Sequence, residues 1–141
     1  MIDRLVVDTN AVVDYLRIDR EYPWQLDVAK EIFLPLTVIG ELFYGASRSD
    51  RPEHHRGTVA QVMKRWSPLL PDIETARVYG NIRAAASRTD TSLKASKMND
   101  FWIAALCLQH ELPLLTNDRG FDTIQGLIVI HLVAETPFGR A

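Results

Sequence analysis

Four carboxylates stand at the edges of apolar segments: Asp8 after Leu5-Val6-Val7, Glu41 after Thr37-Val38-Ile39-Gly40, Asp100 before Phe101-Trp102-Ile103-Ala104-Ala105, and Asp118 after Leu114-Leu115-Thr116-Asn117. Acids beside core elements can be held rigidly, and rigid acids that converge need a counter-charge. Two like charges about 4 Å apart repel by roughly 4 kcal/mol at an effective dielectric near 20. Such a group must take up protons, spread apart or bind a cation, and a hard divalent ion on oxygen ligands is the usual solution. The chemistry this points to is metal-dependent hydrolysis, with phosphodiester cleavage as the first reaction to test.

The elements that must position these acids follow from the apolar pattern. Residues 4–8 read as a short buried strand, followed by a helix over 11–18 that Thr9 and Asn10 can cap. Tyr22-Pro23-Trp24 breaks that helix. A second strand is expected over 31–34, then a helix over 35–47 with Pro35 in its first turn and Ile39, Leu42, Phe43 and Ala46 as its apolar stripe. Residues 53–66 read as a solvated helix, 67–70 as a short strand and 72–87 as a helix. A polar loop carrying Arg88, Lys94 and Lys97 follows over 88–97. Asn99 or Asp100 is expected to cap a buried helix reaching about His110. Residues 113–116 read as a strand, 117–120 as a turn and 127–132 as a last strand. Alternating strands and helices imply a parallel sheet covered on both faces. Sites in such sheets form at the carboxyl ends of strands, so all four acids can reach one crevice across gaps of 33, 59 and 18 residues.

Each acid also has a plain structural reading. Asp8 can be a helix N-cap, although Thr9 and Asn10 could serve as well. Glu41 lies on the helix face away from Ile39, Leu42, Phe43 and Ala46, where a solvated glutamate is the default. Asp100 at a helix start would cap it and favour its dipole. Asp118 in Asn117-Asp118-Arg119-Gly120 is a common turn residue. Asp14, Asp72, Asp90 and Asp122 read as surface, cap or turn residues, with Asp122 the best placed of them for an accessory role.

Composition narrows the alternatives. The chain has 141 residues, 47% of them hydrophobic and 24% charged, an ordinary globular balance for one domain spanning 1–141. Its single cysteine, Cys107, allows no internal disulfide and no zinc-ligand spacing. No apolar run approaches the roughly 20 residues that span a membrane, and Met1-Ile2-Asp3-Arg4 does not open a signal peptide; a cytoplasmic protein is expected. There is no phosphate-binding GxxxxGK[ST] loop, and Ser47 and Ser49 have no evident His partner for a triad. The net charge is −2, but without the four focal acids 14 acids face 16 Lys and Arg, which permits a modest basic rim for a polyanion.

Taken in order, Val-Val-Asp8-Thr9-Asn10, Gly40-Glu41-Leu-Phe-Tyr-Gly45, Asn99-Asp100-Phe-Trp-Ile-Ala-Ala105 and Leu-Leu-Thr116-Asn-Asp118-Arg-Gly-Phe121 resemble the PIN-domain nucleases, and most closely the VapC-type toxin ribonucleases of bacterial toxin–antitoxin pairs. The resemblance covers nearly the whole chain. It implies a three-layer α/β/α sandwich, PIN-like, with a mostly parallel central sheet, and an endoribonuclease that uses Mg²⁺ or Mn²⁺. Asp8, Glu41, Asp100 and Asp118 match the family's acidic quartet, with Asp8 and Asp100 foremost as metal ligands. Asn10 and Thr116 match polar residues that orient ligands or water. The resemblance further implies an RNA substrate, a VapB-type antitoxin and a homodimer. Arg88, Lys94 and Lys97 are candidate contacts to RNA phosphates. Tyr15, Trp24, Phe43 and Tyr44 are candidates for an antitoxin groove, or equally for core packing.

Three other readings compete: a housekeeping PIN nuclease that processes RNA, a non-catalytic binding module on the same scaffold, and a haloacid-dehalogenase-like phosphatase or receiver domain. The last calls for a different acidic pattern, and Asp8-Thr9-Asn10 lacks the Asp-x-Asp form.

Overall fold

The computed structural model of the chain describes residues 3–17, 25–90 and 94–132. Five strands, β1 (Arg4–Val7), β2 (Glu31–Pro35), β3 (Ser67–Leu69), β4 (Leu114–Thr116) and β5 (Val129–His131), form one sheet. All pairings are parallel, in the order β3-β2-β1-β4-β5. The helices are α1 (Thr9–Leu16), α2 (Gln25–Val28), α3 (Leu36–Ser47), α4 (Pro52–Arg65), α5 (Ile73–Ser87) and α6 (Ala95–His110), with a 3-10 helix at Arg119–Thr123. The expected α/β sandwich with a parallel central sheet is the observed fold.

The centre of the sheet is the driest part of the molecule. Leu5, Val6 and Val7 of β1, Leu114 and Leu115 of β4, and Ile103, Ala104 and Ala105 of α6 have no exposed surface. Full burial of one Leu or Val side chain is worth about 1.5–3 kcal/mol, so β1 and β4 are the fixed frame of the domain. The chain leaves β1 toward β2 and β3, then returns on the other side of β1 to form β4. The reversal opens a crevice beyond the carboxyl ends of β1 and β4, the usual position of a site in an open parallel sheet.

Several boundaries differ from the sequence reading. Pro35 closes β2 and caps α3 rather than sitting inside its first turn. The buried stripe of α3 is Val38, Ile39, Leu42 and Ala46, with Phe43 half-buried beside it. Helix α1 starts at Thr9, with Asp8 as its N-cap, and the expected end at Ile18 falls outside the described residues. The largest correction is α6. It begins at Ala95, not at Asn99 or Asp100, and absorbs the end of the expected polar loop. Ala95, Lys97 and Met98 are favourable helix residues. Lys94 supplies the extended N-cap backbone without a side-chain cap bond, so no capping signal marked the start.

Helix α6 ends on an unusual residue. Glu111 lies in the left-handed region at φ 54 and ψ 46, where Leu112 N–H bonds Cys107 C=O at 2.9 Å. Glycine normally holds this position because a Cβ is strained there. Glu111→Gly is therefore expected to stabilise the fold by about 1 kcal/mol, read as a higher urea midpoint at unchanged slope. A lower midpoint would show that the Glu111 side chain outweighs the backbone strain.

Candidate active site

The crevice holds an open pocket of about 400 Å³ whose lining includes all four acids: Asp8, Glu41, Asp100 and Asp118. Each comes from a different element. Asp8 leaves β1 and caps α1, and Glu41 lies in the second turn of α3. Asp100 lies in the second turn of α6, and Asp118 follows β4 and caps the 3-10 helix. Capping does not explain Asp100, because its helix starts a turn and a half earlier.

Asp8 is the best-held of the four. It is buried, and its Oδ1 accepts from Thr9 N–H at 2.8 Å. Its Oδ2 accepts from the Thr116 hydroxyl at 2.8 Å and from the Asn10 amide at 3.0 Å. Thr116, fully buried, also accepts from Asp118 N–H at 3.0 Å and from Asn10 Nδ2 at 3.3 Å. Asn10 Oδ1 accepts from Asn117 N–H at 3.0 Å. One hydroxyl and one amide thus tie the ends of β1 and β4 together and fix Asp8 between them. Glu41 accepts from the Thr9 hydroxyl at 2.6 Å, a short bond of the charge-assisted kind. Asp118 is exposed, and its Oδ1 accepts from Gly120 N–H at 2.8 Å.

The charges on these acids oppose one another. Burial raises the Asp8 carboxyl above its ordinary value against the lowering pull of its Thr116 and Thr9 hydrogen bonds, and the charges of Glu41 and Asp118 raise it further. Burial also raises Asp100, to about 7; the charges of Asp8, Asp118 and Glu41 add to this, while Lys97 opposes it. Between about pH 4 and 7 the folded chain therefore keeps a proton on Asp100 that the unfolded chain has lost. Stability must fall as pH rises through that window and level off above it. The expected result is a melting temperature that declines from pH 5 to pH 7.5 without divalent ions, with a shallower slope in Asp100→Asn. An identical slope in wild type and Asp100→Asn would contradict this electrostatic account.

The donor set suits a hard divalent cation by type and charge: several carboxylate oxygens, one buried, in a pocket where the acids repel. Among the described residues, no three His, Cys, Asp or Glu side chains stand close enough together to hold an ion as they are. The fit is thus one of charge and ligand chemistry rather than of a closed cage.

The other expected residues are placed unequally. Asn10 lines the pocket and Thr116 joins it through hydrogen bonds. Lys97, in the first turn of α6, faces Asp100 electrostatically and sets its ammonium against Gly120. Lys94 is the exposed N-cap of α6 and Arg88 the exposed C-cap of α5, and neither lines the pocket. Asp122 is directed elsewhere: it pairs with His131 at 2.9 Å and Arg119 at 3.7 Å. Of the aromatic residues, Tyr15 packs on Trp66 with ring centroids 4.9 Å apart and takes a hydrogen bond from Arg65. Phe43 is half-buried against the core, Tyr44 is exposed beside Arg48, and Trp24 falls outside the described residues. Thr9, Asp14, Arg17 and Asn117 also line the pocket, which the sequence reading missed. Adjacency to Asp8 and to Asp118 was the signal for Thr9 and Asn117, and nothing local marked Asp14 or Arg17.

A PIN domain profile matches residues 5–127. The chain belongs to the PIN-domain family. Ribonuclease VapC2 of Haemophilus influenzae is 31% identical to this PIN domain over 90 residues, which cover 63% of the chain and 66% of that protein. The match thus spans just under two-thirds of the relative's length. The solved DNA-bound VapBC of Salmonella typhimurium shares 26% identity at a TM-score of 0.79, covering 94% of this chain and all of that one. VapBC2 of Rickettsia felis, bound to a DNA fragment from its promoter, has the same TM-score at 21% identity and covers 92% of this chain and 99% of that one.

Proposed function

We propose that residues 1–141 form a single PIN nuclease domain that hydrolyses RNA phosphodiester bonds with a divalent ion, Mg²⁺ or Mn²⁺, as the toxin of a VapBC-type pair. The observation that carries the reading is the buried Asp8, fixed by Thr116, Asn10 and Thr9, in one pocket with Glu41, Asp100 and Asp118. The chain's likeness to the ribonuclease VapC2 and to VapBC assemblies, VapBC-5 of Mycobacterium tuberculosis among them as a member of a toxin–antitoxin family, supports the activity and a VapB-type antitoxin partner. A homodimer and a cytoplasmic setting complete the proposal. Among the described residues no helix is long and apolar enough to cross a membrane.

The chain's own groups account for much of the mechanism. Asp8 and Asp100 would hold the ion, with Glu41 and Asp118 completing the site directly or through water. A bound divalent ion supplies a water of lowered pKa and offsets charge in the transition state. Thr116 and Asn10 keep Asp8 from turning away, and the Thr9 hydroxyl does the same for Glu41. Rigid placement of this kind maintains ligand geometry. Asp100, raised to about 7 in the ion-free pocket, would give up its proton on holding the ion, so binding should tighten as pH rises toward that value. Lys97 offers a cation to an RNA phosphate that four acids would otherwise repel. The test is cleavage of RNA by the purified protein with and without a divalent ion, beside Asp8→Asn.

A further inference from the structure

A second cavity, of about 740 Å³, lies between α5, α6 and the 3-10 helix. We propose that it is a base-binding subsite, taking the unpaired nucleobase of the nucleotide next to the bond that is cut. The inference rests on the ribonuclease reading and deepens it.

Three properties of the cavity match the three chemistries of a nucleotide. Its floor is apolar: Ile82 and Phe101 are buried, and Leu108 and Ile124 are half-buried beside them. An apolar floor with one aromatic ring, Phe101, suits the face of an unstacked base. Its rim carries two amides, Asn81 and Gln125, both exposed. Each amide offers donors and an acceptor, the pattern needed to read a base edge. At the end nearest the acids stands Lys97, which lines this cavity, packs its ammonium against Gly120 and opposes the charge on Asp100. Asp100 in turn lines the acidic pocket. A nucleotide reaching from one cavity to the other would pass its phosphate over Lys97.

Size and wall structure agree with that occupant. Small-molecule sites span about 300–1,000 Å³, and the cavity falls inside that range. Its lining comes from helices and the turns that follow them, with no strand residue, so an extended peptide would find no main-chain ladder to join. Sequence-specific recognition of RNA depends on splaying out single-stranded bases, which gives such a cavity a role beside a cleavage site.

The test is a nuclear magnetic resonance titration of the full chain with AMP, CMP, GMP and UMP, and with ribose 5-phosphate as the base-free control. At least one nucleotide should shift the side-chain amides of Asn81 and Gln125 and the methyls of Ile82 and Ile124, with ribose 5-phosphate leaving them in place. Ala85→Trp, which fills the cavity from an exposed helix position, should weaken that nucleotide by roughly tenfold or more. Should that variant unfold, Asn81→Ala combined with Gln125→Ala makes the same prediction. The proposal is overturned if no nucleotide moves these signals, if ribose 5-phosphate moves them equally, or if only a protein partner does so. Nucleotide shifts in a chain that cleaves no RNA would sink the ribonuclease reading and the place beside a cut bond, while keeping the cavity as a nucleobase site.

Discussion

Asp8→Asn and Asp100→Asn are each expected to reduce RNA cleavage by roughly 10³-fold or more, a loss of about 4 kcal/mol of transition-state stabilisation. The substitution keeps the side chain's shape and removes its negative charge, so the loss measures the charge. Asp8 is the more informative site because its surroundings are the more completely defined. Its carboxylate is buried and accepts from Thr9, Thr116 and Asn10. These bonds stabilise the ionised form, while burial and the charges of Glu41 and Asp118 oppose it. A carboxyl group buried among other acids and held by three donors is more than the cap of α1 requires.

The same reasoning sets the expected stability. Both variants remove a charge that the other acids repel, but Asp8→Asn also sets an amide NH₂ where a carboxylate oxygen accepted hydrogen bonds, so it should fold with a melting point somewhat below wild type at pH 8 without a divalent ion. Asp100→Asn should melt higher, because burial and its neighbours raise its carboxyl to about 7. A variant that loses activity together with its melting transition would show only that the fold had failed. Lost activity with raised stability is the pairing expected of Asp100→Asn, and lost activity with a cooperative melting transition that of Asp8→Asn.

Thr116→Val is expected to lower cleavage by roughly 10–100-fold, the usual cost of removing a group that orients a ligand. Valine keeps the volume and the β-branched shape suited to a strand. What disappears is one fully buried hydroxyl that donates to Asp8 and accepts from Asn10 and Asp118 N–H. The Thr116 bond is the strongest influence lowering the Asp8 carboxyl, so its loss should raise Asp8 further. The activity profile should then move to higher pH, and higher divalent concentration should restore part of the rate. A fall in activity with neither change would mean that Thr116 acts by packing alone. Exposing an unpaired buried donor or acceptor costs about 1–3 kcal/mol, so some loss of stability accompanies the effect.

The sequence was most informative where apolar runs were short and bounded. Strands β1 and β2 followed from Leu5-Val6-Val7 and Ile32-Phe33-Leu34, and alternating strands and helices were enough for the parallel sheet. Strand order was not legible, because nothing local records that β4 returns beside β1. The acids were visible as candidates, but periodicity misjudged Glu41. It lies away from the helix's core face because that side opens on the pocket, where Thr9, 32 residues distant, meets it. Asp100 was assigned a capping role that α6 does not require, since that helix begins without a side-chain cap. Asp122 looked like an accessory acid from its spacing, yet pairing with His131 and Arg119 turns it elsewhere. Glu41 was decided by a hydrogen bond across 32 residues, which leaves no local trace in the chain, whereas the partners of Asp122 lie three and nine residues away and take their places only once the 3-10 helix and β5 form.

The most direct measurement maps the 5′ ends of total RNA after incubation with purified wild-type protein, with Mn²⁺ or with EDTA, beside Asp8→Asn. The account predicts a discrete set of cleavage sites that appears only with the wild type and only with the divalent ion. The same sites in EDTA, or undiminished cleavage by folded Asp8→Asn, would contradict it.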